Sequence, residues 1–340
     1  MKRILNGVSS EMITRNEDQI GVSVICTCYN QSSYISDALD GFISQQCNFP
    51  YEIIVHDDAS QDGTSDIVLR YAKQYPNLIL PIIQVQNQFS QGISGIDVGL
   101  SRARYKYIAL CEGDDYWVDS FKLQKQFDFM ESHEDYSLCL HNAIIRNCSL
   151  NISYLSESGP DREKSTEDII GEGGGEMNPT ASFFFRRDLL TRACRGPVSD
   201  HFIMMELASK GRVFWLGEPM SVYRLNSKGS WSQNKSNPSI DASEQYYEKY
   251  ENGLESFNRI TDERFARAIN ELKSKLEANK ASQIIRAKYL NNCIPLSEVL
   301  MKSGSILTAI KLVAEKSLPD SIELMIRKTI KRAQKILIIK

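Results

Sequence analysis

Between residue 21 and about 115 the apolar positions switch repeatedly between two periods. Val22-Ser23-Val24-Ile25-Cys26-Thr27 is a short β-branched run ending in the turn-like Cys28-Tyr29-Asn30-Gln31-Ser32-Ser33. Ile35, Leu39, Phe42 and Ile43 then recur at helical spacing, with Ser33 placed to cap the helix. A second strand, Glu52–His56, is broken by Asp57-Asp58-Ala59-Ser60-Gln61-Asp62-Gly63. Ile67, Val68 and Tyr71 share one face of a helix over 65–75 that halts before Pro76. Leu78–Val85 reads as a third strand and Tyr107–Cys111 as a fourth. Strands alternating with helices in this way predict an α/β fold with a mostly parallel sheet covered on both faces.

In such a sheet, ligands bind beyond the carboxyl ends of the strands. The polar clusters sit at those ends: Thr27–Asn30, Asp57-Asp58 and Glu112–Asp115. Three loops therefore converge on one rim.

Downstream, residues 150–180 are polar and glycine-rich around Gly171-Glu172-Gly173-Gly174-Gly175, which predicts a loop closing over a site or a solvated connection. Phe183-Phe184-Phe185 predicts a buried strand, residues 200–211 a helix, and Val213–Leu216 and Met220–Arg224 two short strands. Helices dominate beyond 241. The expected organisation is an N-terminal extension (1–20), a catalytic domain (21–240) and a helical C-terminal region (241–340).

Composition narrows the function classes. With 42% hydrophobic and 24% charged residues in 340, wholesale disorder is excluded. A net charge of −3 offers no electrostatic case for nucleic acid. The charge is uneven: residues 241–340 carry 18 basic against 13 acidic side chains, and the preceding 240 carry 22 against 30. No apolar run reaches the ~18 residues of a membrane span, and the opening segment lacks the apolar centre of a secretory signal, so a cytoplasmic location is expected. Eight cysteines and four histidines show no zinc-ligand spacing.

Asp114-Asp115 has the character of a hard-cation site, since two carboxylates at a strand end can share Mg²⁺ or Mn²⁺ with substrate phosphates. The plainer alternative is that one of them caps a helix beginning near Asp119. A carboxylate of Asp57-Asp58 is a natural acceptor for a base N–H. Tyr29 offers a stacking face for that base, or is simply a core aromatic. A dehydrogenase would need GxGxxG after the first strand, and residues 28–33 contain no glycine.

Together, Val22–Asn30, Glu52–Thr64 and Glu112-Gly113-Asp114-Asp115 resemble, in order, spacing and residue type, the nucleotide-binding segments of glycosyltransferase family 2. The resemblance covers about residues 21–235. It implies a GT-A (nucleotide-diphospho-sugar transferase) fold, a hexosyl- or N-acetylhexosaminyltransferase that inverts the anomeric centre, and Mn²⁺ or Mg²⁺ as cofactor. The implied donor is a nucleotide-diphosphate sugar, with a UDP-sugar favoured. The acceptor would be a saccharide or lipid-linked saccharide in cell-surface polysaccharide or glycan synthesis. By position, Thr27 and Tyr29 would line the base pocket, Asp58 would bind the base, Asp114 would reach the ribose or sugar, and Asp115 would hold the metal. Asp200, in Ser199-Asp200-His201-Phe202, stands where the family's general base is expected; capping its helix is a role it could fill as well. Within Met220–Ser232, Asn226 stands where many relatives have a metal-binding histidine, and Arg224 and Lys228 are candidates for diphosphate contact, with solvated surface charge as the alternative. Rival readings are a non-catalytic nucleotide- or glycan-binding protein on the same fold and a sugar nucleotidyltransferase. The latter would want a glycine-rich, basic loop after the first strand, which is missing.

At the C-terminus, Ile322, Met325, Ile326, Ile330, Ala333, Ile336 and Leu337 form an apolar stripe opposite Arg327, Lys328, Lys331, Arg332 and Lys335. A helix over 322–337 suits an anionic membrane surface at the inner face of the cell membrane, or packing on its own domain or a second subunit in a homo-oligomer.

Overall fold

The structure, a computed structural model, describes residues 19–190, 199–230, 233 and 240–290. The N-terminal extension as far as residue 18 and the stripe over 322–337 lie outside the described residues.

The first four strands are β1 (Val22–Cys28), β2 (Tyr51–Asp57), β3 (Ile79–Ile83) and β4 (Tyr107–Glu112), linked by α1 (Ile35–Ile43), α2 (Thr64–Gln74) and α3 (Gly95–Arg102). They pair in parallel in the order β3-β2-β1-β4. A short β5 (Tyr116–Trp117) and α4 (Lys122–Ser132) lead to the long β6 (Tyr136–Asn147). There follow β7 (Ile152–Leu155), β8 (Arg162–Lys164), α5 (Thr166–Glu172), β9 (Phe184–Arg186), α6 (Ser199–Lys210) and β10 (Arg212–Leu225). The described strands make one mixed sheet that continues β4-β9-β6-β10-β5, with β9 antiparallel to both its neighbours.

Alternation along the strands builds a core on each face. Val22, Val24, Cys26, Ile53, Val55, Ala109 and Cys111 pack under Leu39 and Phe42 of α1, Val68 of α2 and Leu123 of α4. Their neighbours Ile25, Ile54, Ile108 and Leu110 point the other way, joining Ile96 of α3 and the apolar residues of α5 and α6. Burial on both faces is why these strands read as near-continuous apolar runs. Two further helices, α7 (Ile240–Ile260) and α8 (Ala266–Leu290), add Tyr247, Tyr250, Leu254, Phe257, Ile269, Leu272 and Leu276 to that second core. Helices α7 and α8 therefore pack on the sheet domain instead of forming a separate core.

Several local expectations are corrected. Residues 213–225 form one strand, β10, because register shifts against β6 around Leu216, Pro219 and Ser221 absorb the polar break without ending the pairing. Residues 150–180 are not structureless: they hold β7, β8 and α5, the last opened by a capping box in which Ser165 Oγ accepts from Asp168 N at 3.0 Å and Asp168 from Ser165 N at 2.9 Å. Ser33 does not cap α1, which starts at Ile35 with Tyr34 before it and no side-chain cap. The third strand is shorter than expected, and α4 begins at Lys122.

Candidate active site

The register aligns the strand ends. Thr27 lies opposite His56 on one side and Glu112 on the other. Asp58 N donates to Cys28 O at 3.0 Å, and Gly113 N to Thr27 O at 2.9 Å, so the three loops leave the sheet at one level.

The first two loops are stitched together. Asn30 N donates to Ser60 Oγ (2.8 Å), Gln31 N to Thr64 Oγ1 (2.8 Å) and Ser32 N to Asp62 Oδ2 (2.9 Å). Partial burial opposes ionisation of Asp62, but hydrogen bonds from Thr64 and Ser32 outweigh it and hold the pKa at about 2. Asp57 accepts from the hydroxyls of Ser60 and Ser65 and is fully buried. Asp58 accepts from the backbone N–H of Gln88 (2.6 Å) and Phe89 (3.0 Å). The paired acids thus shape their loop, and the strong polar demand of each is met locally. Tyr29 is 47% exposed at the rim, not a core residue.

The third loop is tied to the end of β10. Arg224 N donates to Asp115 Oδ1 at 2.8 Å, and Arg224 Nη1 to the Asp114 carbonyl at 2.7 Å. Its Nη2 bonds Asp37, and the guanidinium lies 4.3 Å from the Tyr116 ring centroid. Ser227 Oγ donates to Asp114 Oδ2 at 2.9 Å. Neither aspartate caps α4. Asn226, with φ of 58°, makes the left-handed turn between Arg224 and Ser227, and Lys228 is exposed while its N–H donates to Tyr34 Oη at 3.2 Å.

Charge is concentrated here. Burial, then the charges of Asp114 and Glu112, raise the Asp115 pKa well above the carboxylate range. Burial raises Asp114 despite its bond from Ser227. Glu112 is pushed up to about 8 by burial and by the charges of Asp114 and Asp200. Tyr223, on β10, is raised by burial and then by Asp115, Glu112, Asp114 and Asp200 in turn. One tyrosine senses all four carboxylates, so Asp200 shares their neighbourhood. Asp115 Oδ2 is buried without a hydrogen-bond partner.

Asp200 enters from the first turn of α6, whose Phe202, Ile203, Met205 and Leu207 are buried and fix the helix against the second core. Its Oδ1 accepts from His201 N at 2.8 Å and its Oδ2 from Gly175 N at 3.1 Å. The glycine run lies against this carboxylate: a Cβ on Gly174 would come 2.2 Å from Asp200 Oδ2. The run is anchored beside buried Lys164, which donates to Glu172 at 2.6 Å, and by Asn178 Nδ2, which donates to Gly173 O at 3.0 Å.

A model of the family described as "Glycosyl transferase family 2" matches residues 23–192. The chain belongs to glycosyltransferase family 2. The match ends ahead of Asp200. The uncharacterised protein Rv1520 of Mycobacterium tuberculosis is 35% identical over 213 residues, 62% of this chain and 60% of that protein. The UDP-Glc:alpha-D-GlcNAc-diphosphoundecaprenol beta-1,3-glucosyltransferase WfaP of Escherichia coli is 33% identical over 114 residues, 33% of this chain and 42% of its own length. Thus the chain aligns with only part of these family relatives. The crystal structure of S. aureus TarS 1-349 with UDP superposes with a TM-score of 0.53 at 16% identity, covering 92% of each chain. That likeness establishes the GT-A fold.

The resemblance implies a divalent ion as cofactor. Among the described residues, no three His, Cys, Asp or Glu side chains form a metal cage. The donor set still fits an ion shared with substrate, since such sites use one or two carboxylates plus phosphate oxygens and water. The buried Asp115 Oδ2, which has no hydrogen-bond partner, offers such an ion a ligand, and Asp114 and Glu112 beside it add negative charge that raises the Asp115 pKa further.

Sequence reasoning missed Glu112, Ser227 and the placement of Gly174 and Gly175. Glu112 and Ser227 lie inside motifs singled out above but were given no role of their own; the glycine run read as a loop that could close over a site, with no partner named until α6 brought Asp200 against it.

Proposed function

We propose that the protein is a metal-dependent, inverting glycosyltransferase that moves a sugar from a UDP-sugar to a hydroxyl of a saccharide or lipid-linked saccharide in cell-surface glycan synthesis. The observation that carries this reading is the buried, unpartnered Asp115 Oδ2 where the three strand-end loops leave the sheet at one level, with Asp114 held beside it by Ser227 and Arg224. Thr27 and Tyr29 line the base pocket, with Asp58 accepting from the base through a remaining lone pair. Asp114 faces the ribose or sugar. Asp115 would hold Mn²⁺ or Mg²⁺, with Asn226 as a second oxygen donor. When bound, such an ion would supply positive charge against the leaving diphosphate. Arg224 is already bonded to Asp114 and Asp37, so it arranges the acidic loop, and exposed Lys228 is the better placed of the two for a diphosphate. Asp200 takes the proton from the acceptor hydroxyl as that oxygen attacks the anomeric carbon from the face opposite the diphosphate. The gathered negative charge favours a neutral acceptor hydroxyl over an anionic one. The UDP bound to TarS and the UDP-Glc in the WfaP name support the donor class, and the lipid-linked acceptor in that name supports the acceptor class. No described helix is long and apolar enough to cross a membrane.

The test is Mn²⁺-dependent release of UDP from a panel of UDP-sugars. Release that stops with EDTA, and that Asp115→Asn and Asp200→Asn each reduce, is expected. Unchanged turnover in both variants refutes the site, and binding of UDP with no turnover of any donor favours the non-catalytic binding protein.

A further inference from the structure

α7 lies outside the stretch that matches the family model, yet it touches the residue next to Asp200. Gly253 packs flat on Phe202: a Cβ there would stand 2.5 Å from Phe202 Cζ. One turn earlier, Tyr250 Oη bonds His201 Nδ1, and the Tyr250 and Phe202 rings meet edge to face at 5.5 Å. On its other side, His201 Nε2 is 2.9 Å from the Ile169 carbonyl of α5. A carbonyl only accepts, so Nε2 carries the proton and Nδ1 accepts from the tyrosine hydroxyl. Burial lowers the pKa of this imidazole and keeps it neutral, with both ring nitrogens engaged. Its backbone N–H is the donor that reaches Asp200 Oδ1.

We propose that Tyr250 is a positioning residue for Asp200, acting through His201: α7 clamps the imidazole between its hydroxyl and the Ile169 carbonyl, and the clamped residue's N–H aims the carboxylate. This rests on the reading of Asp200 as general base. The hydroxyl touches no substrate; its work is to hold the first turn of α6 in register. A bond of this kind decides geometry at the reacting centre, where small displacements are costly. α7 is then part of the catalytic apparatus and not an appendage to it.

The experiment compares wild type, Tyr250→Phe, His201→Gln and the double variant as full chains. Glutamine keeps an amide N–H for Ile169 and loses the acceptor for Tyr250. Calorimetric titration with UDP and Mn²⁺ reports the fraction of folded sites, and stoichiometry and affinity are expected to stay at wild-type values. Per folded site, kcat for UDP release is expected to fall about 10- to 100-fold in Tyr250→Phe, with the donor KM unchanged. The double variant should be no slower than the slower single, because both remove one bond. Imidazole ¹⁵N shifts should show the Nε2–H tautomer of His201 in wild type and a lost Nδ1 hydrogen bond in Tyr250→Phe. Amide exchange at His201 should quicken in that variant. Wild-type kcat or wild-type His201 exchange in folded Tyr250→Phe overturns the proposal. Asp200→Asn separates the two ideas: if it abolishes turnover while Tyr250→Phe does nothing, the base stands and the clamp falls; if it leaves turnover intact, the base reading itself is wrong.

Discussion

Arg224 and Asp115, 109 residues apart in the chain, meet through a single backbone bond: the arginine N–H donates to Asp115 Oδ1 at 2.8 Å inside the sheet domain. The same residue's guanidinium reaches the Asp114 carbonyl, so the end of β10 sets the conformation of the acidic loop from two directions. Asp115 is left with one oxygen committed to the fold and one to be satisfied by something else.

Arg224→Lys keeps the backbone bond and one positive charge but loses the planar fork that spans Asp114 and Asp37. Affinity for UDP with Mn²⁺ should fall about 10- to 100-fold while the fold persists, in line with other residues that orient metal ligands. Isothermal titration checks this; an unchanged affinity would show that the acidic loop keeps its shape without the fork.

Tyr29→Ala should weaken UDP binding by about 1–3 kcal/mol if the half-exposed ring stacks on the base, and Tyr29→Phe should bind as wild type does. Fluorescence or calorimetric titration distinguishes them. Equal affinity for all three proteins would place the base elsewhere.

Gly174→Ala puts a methyl carbon 2.2 Å from Asp200 Oδ2. The carboxylate must swing aside, so kcat should drop by about 10²-fold, with UDP affinity unaltered because the donor loops are untouched. Full turnover in this variant would mean that the glycine run moves freely from the carboxylate.

Lys122 offers a test of stability against pH. It is fully buried, its ammonium 4.1 Å from the Trp117 ring and donating to Gln126 Oε1 at 2.7 Å, and burial lowers its pKa to about 7 from 10.5. Between those values the unfolded chain binds a proton that the folded chain does not. This group alone therefore makes stability rise with pH across the window, by at most about 1.4 kcal/mol per unit. Lys122→Met removes that slope. Its stability relative to wild type should be most favourable at pH 7 and narrow by about 3 kcal/mol by pH 9.5 in urea unfolding. An identical difference at both pH values would show that the amine is not perturbed.

Part of this protein could be read without its structure. The double-sided burial of β1, β2 and β4 was legible because their apolar runs are short and their breaks polar, and the three rim segments were legible because each directly follows such a run. Legibility failed where local signals were weak or competed. Pro219 and Gly217 looked like the end of a strand, yet pairing with β6 carried β10 through. The glycines of 171–175 hid α5, whose Ser165–Asp168 box was a sufficient start signal in a segment judged by its composition.

The sequence by itself determined the fold class, the family and the identity of the acids at the strand ends, since strand period and loop chemistry are local properties that survive in one dimension. Only the tertiary structure decided that Arg224 and Ser227 grip Asp114 and Asp115, that Gly174 and Gly175 lie against Asp200, and that α7 reaches His201. Those pairings join residues 25 to 113 positions apart, and nothing in a linear pattern encodes which distant polar groups a packed core will bring within hydrogen-bonding distance.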